Sequence, residues 1–515
     1  MSIAASFVHN AAANPDKPAV STPEKTVTYG ELHHKTDRIA KALRQASRKT
    51  ENSVPPKAAV LLSNSVEFVE IFLGAAKAGW LAVTFDPKWS DKELTAIIKD
   101  TTPELLFIEK KFIHIKDELP PSVQVIVCKG ETALYTACEE WLEGSETSNE
   151  VLPDVPGDAL FYMGFTSGTT GLPKGFMRTH FSWKESFTEC DKELKLQPGD
   201  HILVPGPLVH SLFLFAALHA LHRGAVCFLE ERFQAEAVID RINTKRISVM
   251  YGVPTMYEAI AQSLEQRERN ARMLRKCIAS GAKMSQQRKT VLENTWPDAE
   301  WIEFYGASEL SFVSILHHND RLRSANALGY PFSNVEVSVL NEAGDEVEPG
   351  EIGELFVRSP MVFAGYYPGA FSKPDAFISS GDLVQQDQDG FLHLAGRKKN
   401  MIVTGGLNVY PEEVEEVLKS SPMVKGAAVT GIEDEYWGEA VAAMVVVKEE
   451  FLKDDKSIKE DLKAFCKKHL ASYKCPHFIL AAKNIPLTTS GKPSRQKVKK
   501  NVENQFLSEG QGQVQ

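Results

Sequence analysis

Residues 161–180 read FYMGFTSGTTGLPKGFMRTH, and the interpretation of the whole chain starts from this stretch. An apolar run leads into glycines and hydroxyl side chains, which end at Pro173, Lys174 and Gly175. Glycines let backbone N–H groups approach an anion closely, hydroxyl groups add donors, and a lysine adds positive charge. The stretch does not fit the GxxxxGK[ST] pattern of a Walker A loop, because its lysine follows Pro173 and precedes Gly175. It therefore predicts a phosphate-binding loop of another kind, and a flexible surface loop is the alternative.

Short apolar runs alternate with helical patterns on both sides of this stretch. The strand-like runs are residues 58–62, 81–85, 159–164, 202–204, 225–229, 247–251 and 276–279. The helical patterns are residues 29–46, 66–78, 208–222, 235–243, 255–263 and 285–294. Because such alternation builds parallel sheets covered by helices, we expect an α/β fold.

The pattern changes after Gly353. Short strand-like runs punctuated by glycine, at 354–358, 383–386 and 391–394, predict a small β subdomain. A hairpin at 401–410, an acidic helix beginning at Pro411, strands at 427–431 and 440–447 and a helix at 457–470 then predict a small α+β domain. We therefore divide the chain into residues 1–396 and 397–515.

Composition excludes several classes of protein. The chain has 515 residues, 43% of them hydrophobic, which is enough for more than one core. Its 58 basic and 68 acidic residues give a net charge of −10, which argues against a nucleic-acid or anionic-membrane surface. No apolar run approaches the ~18 residues of a membrane span, and the start lacks the pattern of a secretory signal. Seven irregularly spaced cysteines without CxxC pairs indicate free thiols, so we expect a cytoplasmic enzyme or binding protein. We expect it to be a monomer or a homodimer.

Three further groups of residues have chemistry suited to a nucleotide. WIEFYGASEL at 301–310 predicts a strand end, a turn and a carboxylate, Glu309, whose hard oxygens suit Mg²⁺; a helix start with an ordinary exposed Glu is the alternative. Asp382 could accept hydrogen bonds from both hydroxyl groups of a ribose, and Arg397 could pair with that sugar or a phosphate. Gly281 leaves room for a ligand or forms only a strand-to-helix turn.

The segment TSGTTGLPKG at 166–175 closely resembles the signature of the adenylate-forming (ANL) superfamily, which comprises acyl-CoA synthetases, luciferases and the adenylation domains of peptide synthetases. The other motifs follow in the family's order, so the resemblance covers nearly the whole chain and is greatest to bacterial AMP-forming acyl-CoA synthetases. It implies a large N-terminal domain, a small mobile C-terminal domain, and two reactions. The acid attacks the α-phosphate of ATP and releases pyrophosphate, and the thiol of coenzyme A then captures the acyl group.

The resemblance also implies roles for individual residues. The predicted phosphate-binding residues are Thr166, Ser167, Gly168, Thr169, Thr170, Gly171 and Lys174. The predicted contacts to adenine, phosphate or the acyl carboxylate are Gly281, Ala282, Tyr305, Gly306 and Ser308. Ser308 departs from the threonine usual in the family but keeps the hydroxyl group. Glu309 and Thr166 are the predicted Mg²⁺ ligands, and Asp382 with Arg397 the predicted ribose contacts.

In the C-terminal part, the resemblance makes Lys399 the hinge, for which a solvated linker lysine is the alternative. Gly405 and Gly406 present backbone to the pantetheine arm of coenzyme A or form only a hairpin turn. Lys492, in LTTSGK at 487–492, bridges the acyl carboxylate and the α-phosphate, where a cation stabilises developing charge; a basic tail is the alternative.

The segment from Pro205 resembles the opening of the family's acyl pocket. His210 is a predicted gate of that pocket, and a core or surface histidine is the alternative. Residues 212–218 are apolar, so they suit a fatty or other apolar acid or an ordinary buried helix. No acidic residue lies between Val204 and Leu229, which disfavours amino-acid substrates, because a buried ammonium group needs an opposite charge. A ligase that loads a carrier-protein phosphopantetheine and a non-catalytic nucleotide-binding protein remain the alternative functions.

Overall fold

The computed structural model describes residues 2–46, 54–129, 138–143, 152, 154–166, 173–267, 271–282, 284, 286–321, 323–324, 326–369, 376–434, 437–452, 454–487 and 493–511. These residues confirm the predicted α/β class. Chain contacts divide the molecule into two compact units. The first unit comprises residues 1–323, 328–336 and 357–378, and the second comprises 324–327, 337–356 and 379–515.

The strands of the described residues are, in chain order, β1 (Pro18–Ser21), β2 (Thr26–Thr28), β3 (Lys57–Leu61), β4 (Leu81–Thr84), β5 (Leu105–Glu109), β6 (Gln124–Lys129), β7 (Leu160–Thr166), β8 (Lys174–Thr179), β9 (His201–Val204), β10 (Val226–Leu229), β11 (Val249–Gly252), β12 (Lys276–Ala279), β13 (Glu300–Ala307), β14 (Ser311–Leu316), β15 (Ala327–Pro331), β16 (Glu336–Leu340), β17 (Ile352–Arg358), β18 (Gly365–Tyr367), β19 (Ile378–Gln386), β20 (Leu392–Arg397), β21 (Ile402–Thr404), β22 (Leu407–Val409), β23 (Val424–Asp434), β24 (Gly438–Val447) and β25 (Phe478–Ala481).

The α-helices are α1 (Ala5–Ala13), α2 (Tyr29–Ala46), α3 (Val66–Ala78), α4 (Asp91–Thr101), α5 (Cys138–Glu143), α6 (His180–Leu194), α7 (Ser211–His222), α8 (Ala235–Thr244), α9 (Pro254–Gln266), α10 (Gln286–Thr295), α11 (Pro411–Ser420), α12 (Asp455–His469) and α13 (Arg495–Gln511). Short 3₁₀ helices lie at Lys110–Glu118, His318–Asp320, Lys398–Asn400, Glu449–Phe451 and Ser472–Lys474. No helix in the described parts of the chain is long and apolar enough to cross a membrane.

The first unit contains two sheets whose central strands are parallel. In one, β13, β12, β11, β9, β10 and β1 are parallel neighbours in that order, and the antiparallel strands β2, β14 and β15 extend it at its two ends. In the other, β7, β4, β3, β5 and β6 are parallel, and the antiparallel strands β8 and β18 extend it beyond β7. The predicted parallel sheets are therefore confirmed, and the structure adds the parallel strands β1, β5 and β6 and several antiparallel strands that were not predicted.

Local signals explain why the predicted bounds of α3 coincide with those observed. Before the helix, the Ser65 hydroxyl accepts a hydrogen bond from the backbone N–H of Phe68 (3.3 Å), which satisfies a donor at the helix start. After it, Gly79 adopts a φ of +73°, a conformation that glycine takes without steric cost. The residues between are almost all buried, because the helix packs within the first unit.

The C-terminal part of the second unit is a sheet with the order β22-β21-β24-β23, with β25 parallel to β24. Alternate residues of its strands face opposite cores, as the period of two in a strand requires. Val429 and Val441 belong to the core that includes Val414 of α11 and Leu462 of α12. Their neighbours Ala428 and Ala442 belong to the core that includes Val498 of α13. The predicted α+β arrangement is observed, and β23 and β24 are longer than the apolar runs that indicated them.

The second unit also contains the strands β16, β17, β19 and β20, adjacent in that order, in the region of the predicted β subdomain. Chain contacts group residues 379–396 with the C-terminal residues, whereas the sequence placed the domain boundary after residue 396. The position of a hinge near Lys399 stays a prediction.

Candidate active site

The two ends of the predicted phosphate loop lie side by side in the first unit. Strands β7 and β8 are antiparallel neighbours, and Thr166 at the end of β7 pairs with Lys174 at the start of β8. Lys174 therefore belongs to a strand, and its side chain is exposed. The loop residues Ser167, Gly168, Thr169, Thr170 and Gly171 lie outside the described residues, so their contribution stays a prediction.

The motif at 301–310 forms the strand end and turn that its sequence predicted, rather than a helix start. Strand β13 ends at Ala307, and Ser308 and Glu309 lie in the turn that leads into β14. A residue with a side chain does not fit at position 306, because its Cβ atom would lie 1.9 Å from the backbone oxygen of Ser311. The half-buried side chains of Tyr305, Ser308 and Glu309 thus lie on a segment whose backbone packs closely against that of Ser311.

Glu309 is held by the segment around β18. Its backbone oxygen accepts a hydrogen bond from the N–H of Phe363 (2.8 Å), and its carboxylate accepts one from the Tyr366 hydroxyl (2.7 Å). The ring of Tyr366 also faces Lys174, whose Nζ lies 6.0 Å from the ring centroid. Lys174 and Glu309, distant in the sequence, are thereby joined through one tyrosine that the sequence analysis missed.

Gly281 and Ala282 lie close to the same edge of the sheet as Tyr305. They follow β12, which is the parallel neighbour of β13, so the carboxyl ends of both strands meet at this edge. Ligands of α/β sheets bind outside such carboxyl ends. Gly281 has a φ of +89°, which favours glycine, and both residues are exposed.

His210 is placed by a separate loop, immediately before α7. The side chain of Asn64 fixes this loop, since it donates to the backbone oxygen of Gly206 (2.7 Å) and accepts from the N–H of Leu208 (2.7 Å). Burial lowers the pKa of His210, and the charge of Lys88 lowers it further while that of Asp86 opposes the shift. The imidazole is therefore neutral at neutral pH. The predicted pocket wall is residues 212–218, and all of it except the half-buried Leu212 is buried in α7, as expected for a core helix.

Asp382 and Arg397 lie together in the second unit. Strand β19 begins at Ile378, earlier than predicted, so Asp382 lies within a strand, opposite Arg397 of β20 in the antiparallel register. Their side chains form an ion pair of 3.0 Å between Arg397 Nε and Asp382 Oδ1. The carboxylate is nearly buried and half of the arginine side chain is exposed. The structure thus brings the two side chains together, and their contact with a ribose stays a prediction.

Three further predicted residues of the second unit, Lys399, Gly405 and Gly406, lie on its surface. Lys399 is exposed in a short 3₁₀ helix. Gly405 and Gly406 form the turn between β21 and β22, both with positive φ (+55° and +79°), as a two-residue hairpin turn requires. The backbone N–H of Gly405 donates to the backbone oxygen of Trp437 (2.8 Å), and the Trp437 ring lies beside this glycine. Lys492 lies outside the described residues.

The described side chains do not form a metal cage of their own. No group of three or more His, Cys, Asp or Glu residues that could hold a metal ion occurs among them. Glu309 offers one half-buried carboxylate, whose hard oxygens fit an Mg²⁺ ion that takes its other ligands from phosphate oxygens and water. This donor set is suited to a metal that arrives with a nucleotide.

Comparison with known proteins gives consistent matches over almost the whole chain. Residues 7–367 match the family model of AMP-binding enzymes, and residues 413–492 match that of the AMP-binding enzyme C-terminal domain. An uncharacterized acyl–CoA ligase of Bacillus subtilis (strain 168), YhfT, is 37% identical over 507 residues, covering 98% of this chain and 99% of the relative. The fatty acid–[acyl-carrier-protein] ligase ScoC of Streptomyces coeruleorubidus is 30% identical over 501 residues, covering 94% of this chain and 93% of the relative.

A solved structure agrees with these sequence matches. The Bacillus subtilis o-succinylbenzoate CoA synthetase MenE, in complex with its acyl-adenylate intermediate, superposes with a TM-score of 0.82 at 27% identity. The match covers 96% of this chain and 97% of that structure. The chain therefore belongs to the family of AMP-binding enzymes, within the adenylate-forming superfamily that its motifs indicated.

Proposed function

We propose that this enzyme is an acyl-CoA ligase that forms AMP and pyrophosphate. In the first reaction a carboxylate oxygen of the acid attacks the α-phosphorus of ATP, the bond to the bridging oxygen breaks, and pyrophosphate leaves. In the second, the sulfur of coenzyme A attacks the acyl carbon of the adenylate, the thiol loses its proton, and AMP leaves. The observation that carries the proposal is the joining of Lys174 and Glu309 through Tyr366 beside the predicted phosphate loop.

Each residue has a role that fits its surroundings. Lys174, exposed beside the loop, stabilises the charge that collects on the departing pyrophosphate. Glu309, with Thr166, would hold Mg²⁺, which neutralises phosphate charge when it is bound. Asp382 accepts hydrogen bonds from the ribose hydroxyl groups, while Arg397 holds the Asp382 carboxylate in place. Lys492 supplies the cation at the α-phosphate, as the family motif implies.

The acid is proposed to be fatty or otherwise apolar. The segment between Val204 and Leu229 lacks an acidic residue, and His210 is neutral, so this region offers no charge to hold a substrate ammonium group. YhfT carries the name acyl–CoA ligase, which supports coenzyme A as the acceptor. ScoC carries the name of a carrier-protein ligase at 30% identity, so a carrier phosphopantetheine is the second candidate acceptor.

We also propose a cytoplasmic location. All seven cysteines lie among the described residues as free thiols, which supports a reducing compartment.

The proposal is tested by ATP–pyrophosphate exchange over a panel of fatty, aromatic, dicarboxylic and amino acids. We expect exchange above background with one or more apolar acids and none with amino acids. The responsive acid is then supplied with either free coenzyme A or a holo-carrier protein, and thioester yield is measured. Absence of exchange with every acid, despite ATP binding, would show a non-catalytic nucleotide-binding protein instead.

A further inference from the structure

Tyr366 lies on a short strand that is firmly attached to the strand carrying Lys174. β18 pairs antiparallel with β8, with Tyr366 opposite Phe176 and Tyr367 opposite Gly175. The attachment extends beyond this pairing, because the buried guanidinium of Arg178 on β8 donates to the backbone oxygen of Met361 (2.7 Å). The backbone of Tyr366 is therefore connected by hydrogen bonds to the strand that carries Lys174.

The same segment also fixes the turn that carries Glu309. The N–H of Phe363 donates to the backbone oxygen of Glu309 (2.8 Å). The Phe363 ring packs edge-on against the Tyr366 ring, with centroids 5.0 Å apart and an angle of 78° between the planes. These contacts restrict the tyrosine ring and place its hydroxyl group at the Glu309 carboxylate.

The two charged groups contact different parts of the Tyr366 side chain. Its hydroxyl donates to the carboxylate of Glu309 (2.7 Å), and its ring, with a negative face, lies within reach of the Lys174 ammonium (6.0 Å).

We infer that Tyr366 is a positioning residue, which orients the Glu309 carboxylate toward Mg²⁺ and the Lys174 ammonium toward the pyrophosphate end of ATP. The inference rests on the proposed function. A carboxylate held by a hydroxyl group occupies fewer rotamers, so less conformational entropy is lost when the metal–nucleotide complex binds. A merely structural tyrosine would stabilise β18 without affecting the metal requirement.

The experiment compares Tyr366→Phe with the matched control Tyr367→Phe. Tyr367 is the next residue on the same strand, and its hydroxyl contacts Lys57 Nζ (3.4 Å) instead of Glu309. Two quantities are measured in both variants and in the wild type: the Mg²⁺ concentration for half-maximal ATP–pyrophosphate exchange, and the affinity for ATP at fixed Mg²⁺ by calorimetry without acid. Thermal unfolding is followed in parallel.

We expect Tyr366→Phe to raise the half-maximal Mg²⁺ concentration about threefold to tenfold and to weaken ATP binding similarly, since the hydrogen bond that orients the carboxylate is lost. Tyr367→Phe should leave both quantities at the wild-type value. A Tyr366→Leu variant, which also removes the aromatic face, should weaken ATP binding further.

An unchanged Mg²⁺ titration and ATP affinity in Tyr366→Phe would overturn the inference while leaving the proposed function intact. An equal shift in Tyr367→Phe would also overturn it, because the effect would then come from the strand. A wild-type protein that binds no ATP in the presence of Mg²⁺ would overturn the proposed function and the inference together.

Discussion

Two groups of side chains lie near strand β13, and each consists of an aromatic ring, a cation and a carboxylate. The two groups differ in burial. In the first, Arg321 lies over the Trp301 ring (4.8 Å) and donates to Glu303 (2.8 Å). In the second, Lys174 and Glu309 contact Tyr366. Glu303 and Glu309 are only six positions apart, so the two groups share residue types and location but not environment.

In the first group the charges bond directly to each other. The Arg321 side chain is fully buried and also pairs with Glu293 (2.7 Å), while Lys289 pairs with Glu303 (3.1 Å). Buried charges must be paired because they have lost their water. In the second group the lysine is exposed, and its link to the carboxylate passes through a tyrosine, so both charges can exchange water for a ligand. Burial therefore makes one group structural and the other suited to binding.

The largest expected effect is on stability, from Arg321→Met. Removal of this cation leaves Glu303 and Glu293 partly buried with fewer partners, and breaking a buried pair in this way costs about 3–5 kcal/mol. Urea unfolding of the purified protein measures the loss. Arg323→Met is the control, because Arg323 is exposed and its replacement should change stability by less than about 0.5 kcal/mol. A loss below about 1 kcal/mol in Arg321→Met would contradict the comparison.

The second prediction concerns the other cation. Lys174→Met should lower the rate of ATP–pyrophosphate exchange about 100-fold, because a charge that stabilises the leaving group is removed. Its unfolding midpoint should match that of the wild type, since the side chain is exposed. Lys99→Met, at another exposed lysine, is the control for activity. A Lys174→Met enzyme that unfolds earlier but turns over normally would place this lysine with Arg321 as a structural residue.

The smallest expected effect extends the comparison to a buried base, His180. Burial lowers the pKa of His180 to about 3, and its Nδ1 accepts a hydrogen bond from the N–H of Ile3 (3.2 Å). The unfolded chain binds a proton at this imidazole below pH ~6.5, whereas the folded protein binds it only near its lowered pKa. The stabilisation is therefore complete above pH ~6.5 and declines as the pH falls from there toward the folded pKa.

We expect this group to contribute about 1–2 kcal/mol of the stability lost between pH 6.5 and pH 5. The measurement is urea unfolding at both pH values for the wild type and His180→Gln. The variant should show the smaller pH dependence, whereas His9→Gln, at an exposed histidine, should keep the wild-type dependence. Equal pH dependence in wild type and His180→Gln would show that His180 is accessible to protons in the folded protein.

Elements with strong local signals were predictable. The predicted bounds of α2, α3 and β12 agree with the structure, because periodic apolar residues, caps and turn residues lie within the elements or beside them. The parallel strands β5 and β6 and the antiparallel strands β8, β14 and β18 escaped prediction. Strand pairing depends on segments that are distant in the sequence, so the residues of one segment do not reveal it.

Short local motifs in the chain were enough to indicate the family and the candidate chemistry, because residues 166–175, Glu309, Asp382 and Arg397 each lie in one. The cooperation between charges follows from the folded arrangement. Tyr366 is separated from Glu309 by 57 positions and meets Lys174 because β18 pairs with β8. The folded structure also surrounds Glu303 with Arg321 and Lys289, whereas the Glu309 side chain stays partly exposed. The physical reason is that local residue types determine which bonds can form, while folding determines burial and therefore which charges remain available to a ligand.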